Sequence, residues 1–407
     1  MESAKLIAGL TRIVRDVGLA EELAQDALVI ALEKWPESGV PDNPGAWLMG
    51  TAKHRAVDAL RRQGTLERKQ AELARDLEMQ QNVEIDIEAL DDHIGDDLLR
   101  LIFISCHPVL STEARTALTL RLVGGLTTSE IARAFLASES AVAQRIVRAK
   151  RTLSEAAIPF EVPGREEFPE RLASVLEVIY LIFNEGYLAT AGEDLVRPAL
   201  CEEALRLGRV LAGLVPEEAE VHGLVALMEI QASRIRARVG PGGEAVLLFE
   251  QNRNRWDRLL IGRGLAALER AERLGGTRGV YTLQAAIAAC HARARSADET
   301  DWRRITELYG LLAGAAPSPV VELNRAVAVA MAFGPAAGLE LVDGLRAEPS
   351  LKAYHLLPSV RGDLLEKLGR YDEARLEFEQ AASLTLNQRQ RNLLLDRAAA
   401  CHPPVSD

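Results

Sequence analysis

A glycine pair followed by two short, separately capped helical segments constrains this chain more than any other stretch of it. Gly124-Gly125 can supply the left-handed residue that ends a helix over Thr112–Val123. Thr127 then stands as an N-cap with Glu130 three residues on, the spacing of a capping box, which predicts a helix over Ser129–Phe135. Leu136-Ala137 makes a turn. Ser138 caps the next helix, in which Val142, Ile146, Ala149 and Leu153 recur at spacings of four, three and four, one face of a 3.6-residue period. Two helices joined by so short a turn form a helix-turn-helix.

The opposite face of the second helix carries Ser140, Gln144, Val147 and Arg151, flanked by Arg145, Arg148 and Lys150. Glutamine can read adenine through two hydrogen bonds, valine can touch a thymine methyl, and the cations neutralise phosphates. Duplex DNA is the partner such a face fits. The plainer alternative is an amphipathic helix with a solvated basic face.

Composition bounds the rest. The 407 residues, 48% of them hydrophobic, suffice for two or three packed domains, and aromatics make up only 4%. Alanine, leucine, glutamate and arginine abound and strand-like alternation is nearly absent, so an all-α fold is expected. A net charge of −11 argues against a protein that coats nucleic acid indiscriminately, so any DNA contact must come from local basic faces. Cys106, Cys201, Cys290 and Cys401 lie far apart, and the seven histidines are scattered without ligand spacing. Neither a metal site, a disulfide framework nor a cofactor is expected. No signal-like N-terminus and no long apolar run occur, which reads as cytoplasmic with no membrane partner.

Along the chain, residues 1–63 read as a compact helical unit closed at Arg61-Arg62-Gln63-Gly64. Residues 64–97 hold eleven acidic against three basic residues and read as an acidic, flexible connector. A second helical unit spans 98–155, and the prolines and glycine of 156–169 mark a linker. Beyond it lie 170–260, a helical domain, and 261–402, which has repeat character.

The first unit presents two unlike outer faces. On Ala20–Trp35, inward Leu23, Ala27, Ala31 and Trp35 leave Glu22, Asp26, Val29 and Glu33 as an acidic stripe with no lysine at i+4. A merely solvated face is the alternative. The next helix opens at Asn43-Pro44, an N-cap and a first-turn proline, and buries Leu48, Ala52, Ala56 and Ala59. Outside lie Trp47, Thr51, His54, Asp58 and Arg61, with Lys53, Arg55 and Arg62 at the margins. A stacking ring among cations suits single-stranded nucleic acid, unless Trp47 fills the core.

These segments resemble the extracytoplasmic-function group of sigma-70-type RNA polymerase sigma factors. LAEELAQDALVIALEKW (Leu19–Trp35) is similar to the region 2 helix that docks on core polymerase, and NPGAWLMGTAKHRAVDALRR (Asn43–Arg62) to the helix after it. The resemblance implies that the latter helix, with the loop Ser38–Gly45, captures the unpaired −10 promoter strand. LTTSEIARAFLASESAVAQRIVRAKRTL (Leu126–Leu153) resembles region 4, which reads the −35 element as duplex. The likeness covers about the first 155 residues. Ala143 stands where such proteins often have arginine, which shifts base reading toward Gln144, Arg145 and Arg148.

The remaining half is similar to a subgroup with a long helical extension. IFNEGY (Ile182–Tyr187) and NRWDR (Asn254–Arg258) look like its motifs. For the first, a helix ending on a left-handed Gly186 with Tyr187 packed back is one reading, and a ligand or partner site through Asn184 and Glu185 the other. Trp256, Asp257 and Arg258 read as an interdomain anchor. GDLLEKLGRYDEARLEFEQAASL (Gly362–Leu384) looks like a tetratricopeptide helix pair, with Gly369 and Tyr371 at the turn and Ala374, Phe378 and Ala381 interlocking. Such a stack offers a surface to a protein partner. Two other classes stay open: a free-standing helix-turn-helix regulator with a helical sensor, and an enzyme, for which no catalytic motif appears. The first unit discriminates, since a repressor has no use for its two faces.

Overall fold

The computed structural model describes residues 2–72, 94–135, 137–189 and 191–402, and among these the secondary structure is helical apart from two short strands and one isolated bridge. The chain falls into two compact units, Met1–Ile179 and Tyr180–Asp407.

In the first unit, α1 (Glu2–Val14) packs against α2 (Val17–Ser38), α3 (Pro44–Glu72) and α4 (Ile94–Ser105). The start of α2 is fixed by Asp16, whose carboxylate accepts from the Leu19 amide at 2.7 Å. Asn43 does the same for α3, accepting from the Ala46 amide at 3.1 Å, and Pro44 follows at the first helical position. Leu10, Leu48, Ala52, Ala56, Leu101 and Phe103 are buried among these helices.

Two boundaries differ from the sequence reading. The helix expected to close at Gly64 continues to Glu72. One glycine inside a helix costs about 1 kcal/mol against alanine and does not by itself stop it. At the far end of the expected connector, Ile94 already opens α4, and Asp97 is buried against Arg12 at 3.3 Å and Arg100 at 2.7 Å. That aspartate belongs to the packed unit. The acidic stretch between, residues 73–93, lies outside the described residues.

The helix-turn-helix follows as α5 (Thr112–Leu122), α6 (Thr128–Ala134) and α7 (Glu139–Glu155). Gly125 takes φ +74°, and the Leu126 amide reaches back to the Leu120 carbonyl at 3.0 Å, which closes α5. The capping box forms reciprocally: the Thr127 amide donates to Glu130 at 2.7 Å and the Glu130 amide to Thr127 Oγ1 at 3.2 Å. Val142, Ile146, Ala149 and Leu153 are buried. Leu136, half of the expected turn, lies outside the described residues.

Helix α8 (Phe168–Tyr187) corrects the linker's far boundary. The Phe168 ring packs at 5.5 Å, tilted, against that of Phe103, Arg171 donates to the Phe103 carbonyl at 3.0 Å, and Ser174 Oγ donates to the Cys106 carbonyl at 2.6 Å. The first unit therefore runs on to Ile179 inside α8 instead of ending before residue 170.

The second unit continues through α9 (Pro198–Leu214), α10 (Ala219–Ala232), α11 (Arg258–Arg273), α12 (Val280–Arg293), α13 (Trp302–Ala315), α14 (Pro319–Phe333), α15 (Pro335–Leu345), α16 (Leu356–Lys367), α17 (Tyr371–Leu384) and α18 (Gln388–Ala400). From α12 onward each helix packs on the next. In the expected repeat, Gly369 takes φ +75° and Ala374, Phe378 and Ala381 are fully buried. A side chain at Gly362 would lie 2.9 Å from the Phe378 ring, so glycine permits that approach. Strand pair Ala191-Gly192 and Leu386-Asn387 ties the ends of this unit in parallel.

Candidate polymerase and promoter interfaces

On α2 the structure separates two kinds of acid. Glu22, Asp26 and Glu33 are exposed, and Val29 (53% exposed) and Leu32 (76%) sit among them, so the stripe is apolar as well as acidic. Leu32 was not singled out by sequence reasoning, although its place three residues after Val29 is a helical neighbour's spacing. Glu21 turns the other way. It is 4% exposed and meets Arg121 of α5 at 2.6 Å and the Lys150 ammonium of α7.

Asp26 pairs with Arg55 on α3, so the acidic and basic faces adjoin and share one ion pair. Trp47 is half-buried with its ring 5.5 Å from that of Trp35, edge to face. It is thus neither a free platform nor core filler: one edge is held and the rest meets solvent. His54, Asp58 and Arg61 are exposed, Lys53 is half-buried, and Ala59 is half-buried where full burial was expected. His54 Nδ1 lies 2.7 Å from the Gly50 carbonyl, a contact along its own helix. Arg62 follows on the same helix.

On α7, Ser138 caps by accepting from the Ala141 amide at 3.2 Å. Ser140, Gln144, Val147 (64% exposed), Arg148 and Arg151 all face solvent, with Arg145 half-buried beside them. Among the described residues Gln144 and Arg148 make no side-chain hydrogen bond, whereas Arg151 is held at 2.6 Å by Glu155. An exposed valine among uncommitted polar groups has no folding purpose. A concavity of about 440 Å³ runs along this face, lined by Gln144, Arg145 and Arg148 and by Ser111 and Ala114 at the start of α5. Cations and a helix N-terminus meet there, both favourable for an anion.

Residues 3–65 match the family described as Sigma-70 region 2, and residues 100–153 match Sigma-70, region 4. The ECF RNA polymerase sigma factor SigK of Mycobacterium ulcerans (strain Agy99) is 30% identical over 150 residues, covering 35% of this chain and 75% of that protein. This chain belongs to the ECF family of RNA polymerase sigma factors. A second SigK, from Mycobacterium sp. (strain KMS), is 27% identical over 145 residues, 34% of this chain and 69% of the relative. The sigma factor binds core RNA polymerase and promoter DNA through these two regions. Its likeness to a further protein extends past them: the uncharacterized protein R00370 of Rhizobium meliloti (strain 1021) is 45% identical over 386 residues, 94% of this chain and 89% of that one. Residues 171–272 match a family of unknown function (DUF6596). No solved structure matches the chain.

In the extension, the first motif departs from its sequence reading at its glycine. Gly186 is not left-handed: it lies within α8, where a Cβ would come 2.7 Å from the Cys201 amide and 2.8 Å from Leu200. Glycine there lets α8 and α9 touch. Tyr187 does pack back, stacked at 5.7 Å on Phe183, Glu185 pairs with Arg197, and Asn184 is half-buried. Trp256 is 3% exposed in a core with Ile230, Ile261 and Leu268, while Asp257 caps α11 by accepting from the Leu259 and Leu260 amides at 2.9 and 3.1 Å. Trp256 thus shares a core with residues from both sides of the expected 260/261 boundary, Asp257 serves as a cap, and Arg258 is exposed.

Proposed function

We propose that the sigma factor reads a −35 element as duplex through α7 and captures the unpaired −10 strand through α3 and the loop before it. The observation that carries this reading is the division of α7 into a sealed apolar face and an opposite face whose Gln144 and Arg148 make no side-chain hydrogen bond among the described residues. Trp47, held at one edge near the start of the helix that carries Lys53, Arg55 and Arg61 further along, supports strand capture, because a fixed ring stacks on a base of any sequence while cations follow the backbone. The stripe of Glu22, Asp26 and Glu33 around Val29 and Leu32 supports docking of α2 on a basic, partly apolar surface of core polymerase.

The work is binding and strand separation in the cytoplasm; no covalent bond is made or broken and no cofactor is used. The helical extension from residue 180 controls activity or engages a protein partner through its stacked helices. Transcription in vitro with purified core polymerase and the full chain tests the reading. Gln144→Ala should relax the preference for the cognate −35 sequence at one base pair, and Trp47→Ala should leave −35 binding intact while permanganate reactivity at the −10 strand falls. Normal opening by a folded Trp47→Ala protein would overturn the role given to that ring. For the extension, the full chain is compared with one ending at 179, where the first unit ends. Equal transcript yields would overturn regulation in cis.

A further inference from the structure

The second unit contains a cavity of about 500 Å³ enclosed by α10, α12, α13 and α14, with Tyr180 at one wall. Its size lies within the roughly 300–1,000 Å³ usual for small-molecule sites. Leu227, Ile287, Leu312 and Val321 make its lining largely apolar, and Gln231, Gln284 and Asn324 place amides among them. Tyr180 donates to Gln284 Oε1 at 3.0 Å, which fixes that amide.

The cavity's charge is unusual. Arg234 lines it and donates through Nη2 to Tyr187 Oη at 2.8 Å and to Gln231; among the described residues it has no carboxylate partner and its buried Nε has no acceptor. Its guanidinium carbon lies 5.7 Å from the Trp256 ring centroid, and that of Arg253 lies 4.8 Å from the same ring. Arg253 bonds only neutral groups, the His291 and Ala294 carbonyls at 2.5 and 2.7 Å and Thr300 Oγ1 at 3.3 Å. Arg238 lies over Tyr187 at 3.8 Å, again with no ion pair. Three half-buried arginines thus cluster around Trp256 and Tyr187 with no ion pair among the described residues, and of nearby acids Glu299 acts on Arg253 alone. The more deeply buried Arg361 of the same unit is by contrast paired, with Asp343 and Glu377. Withdrawing a cation from water without a partner is costly, and an anion delivered to the cavity would compensate it.

We propose that this cavity binds a small organic carboxylate with an apolar body, its charge held by Arg234 and its body by Leu227, Ile287, Leu312 and Val321. The site involves the second unit alone and stands whether or not the promoter reading does. The full-length protein is titrated by calorimetry with benzoate, octanoate and indole-3-acetate, each against its neutral amide, with inorganic phosphate and a pentapeptide ending in leucine as further arms. At least one carboxylate should bind saturably, tenfold or more tighter than its amide. Arg234→Gln should remove that discrimination. Asn324→Trp, at an exposed position of the cavity wall, should weaken binding by a similar factor without touching the Trp256 core. The proposal is overturned if no carboxylate binds at concentrations up to about 10 mM, if amides bind as well as acids, or if Asn324→Trp leaves a folded protein's affinity unchanged. Tighter binding of the peptide than of any free acid would replace it with a peptide groove, and phosphate binding alone with a simple anion site.

Discussion

Nε of Arg121 donates at 2.6 Å to Oε1 of Glu21, a hundred residues earlier in the chain. The same carboxylate takes the Lys150 ammonium, so one buried acid on α2 holds α5 and α7 together. Removing it strands two largely buried cations. Glu21→Ala should cost about 3 kcal/mol of stability, and Glu21→Gln less, because the amide oxygen still accepts from Arg121. Urea titrations of both variants check this. Equal midpoints for Glu21→Ala and the unaltered protein would mean that the cations find water instead.

Charge reversal on the outer stripe addresses the polymerase contact. Glu22→Lys with Glu33→Lys should weaken association with core polymerase about tenfold, since repulsion adds to lost attraction and slows encounter. Asp26 is a poorer choice, because Arg55 pairs with it within the protein. Co-purification of the double variant at wild-type yield would show a merely solvated face.

Three substitutions on α7 should rank by how committed each side chain already is. Gln144→Ala should lose about 1–3 kcal/mol on −35 duplex and relax the preference at one base pair. Arg148→Ala should weaken binding to all sequences and lower the salt slope by about one. Arg151→Ala should do least, because Glu155 already holds that guanidinium. Band-shift titrations at two salt concentrations separate the three.

Burial, with Arg234 and Arg253 nearby, pushes His291 down from 6.5 to about 3. Between those values the unfolded chain binds a proton that the folded chain refuses, so stability falls as pH falls, by up to about 1.4 kcal/mol per unit for such a group. His107 and His355 are lowered too, chiefly by burial, and add in the same direction. Stability should be full above about pH 7 and decline by about pH 5.5, before most carboxylates titrate. His291→Asn should flatten that decline in urea midpoints. An unchanged slope would assign the loss elsewhere.

The caps and apolar periods of the helix-turn-helix were legible beforehand. The Thr127–Glu130 box, the Ser138 and Asn43 caps and the buried quartet Val142, Ile146, Ala149 and Leu153 all join residues within a turn or two of each other. Helical periodicity and capping are local interactions, so the order of residues records them directly. The sequence also determined the family, because the two promoter-binding regions consist of such local patterns in a fixed order. Partners far apart in the chain leave no such record. That Glu21 faces inward while Glu22 faces out, that Arg55 answers Asp26, and that Asp97 is core were decided by which helices meet. Gly186 shows the limit most clearly: glycine at a helix end predicts a left-handed cap, but here it serves close contact with Cys201 on another helix. Trp256 and Arg234 follow the same rule, since burial and a missing counter-ion are properties of the packed unit, fixed by desolvation once the chain has folded.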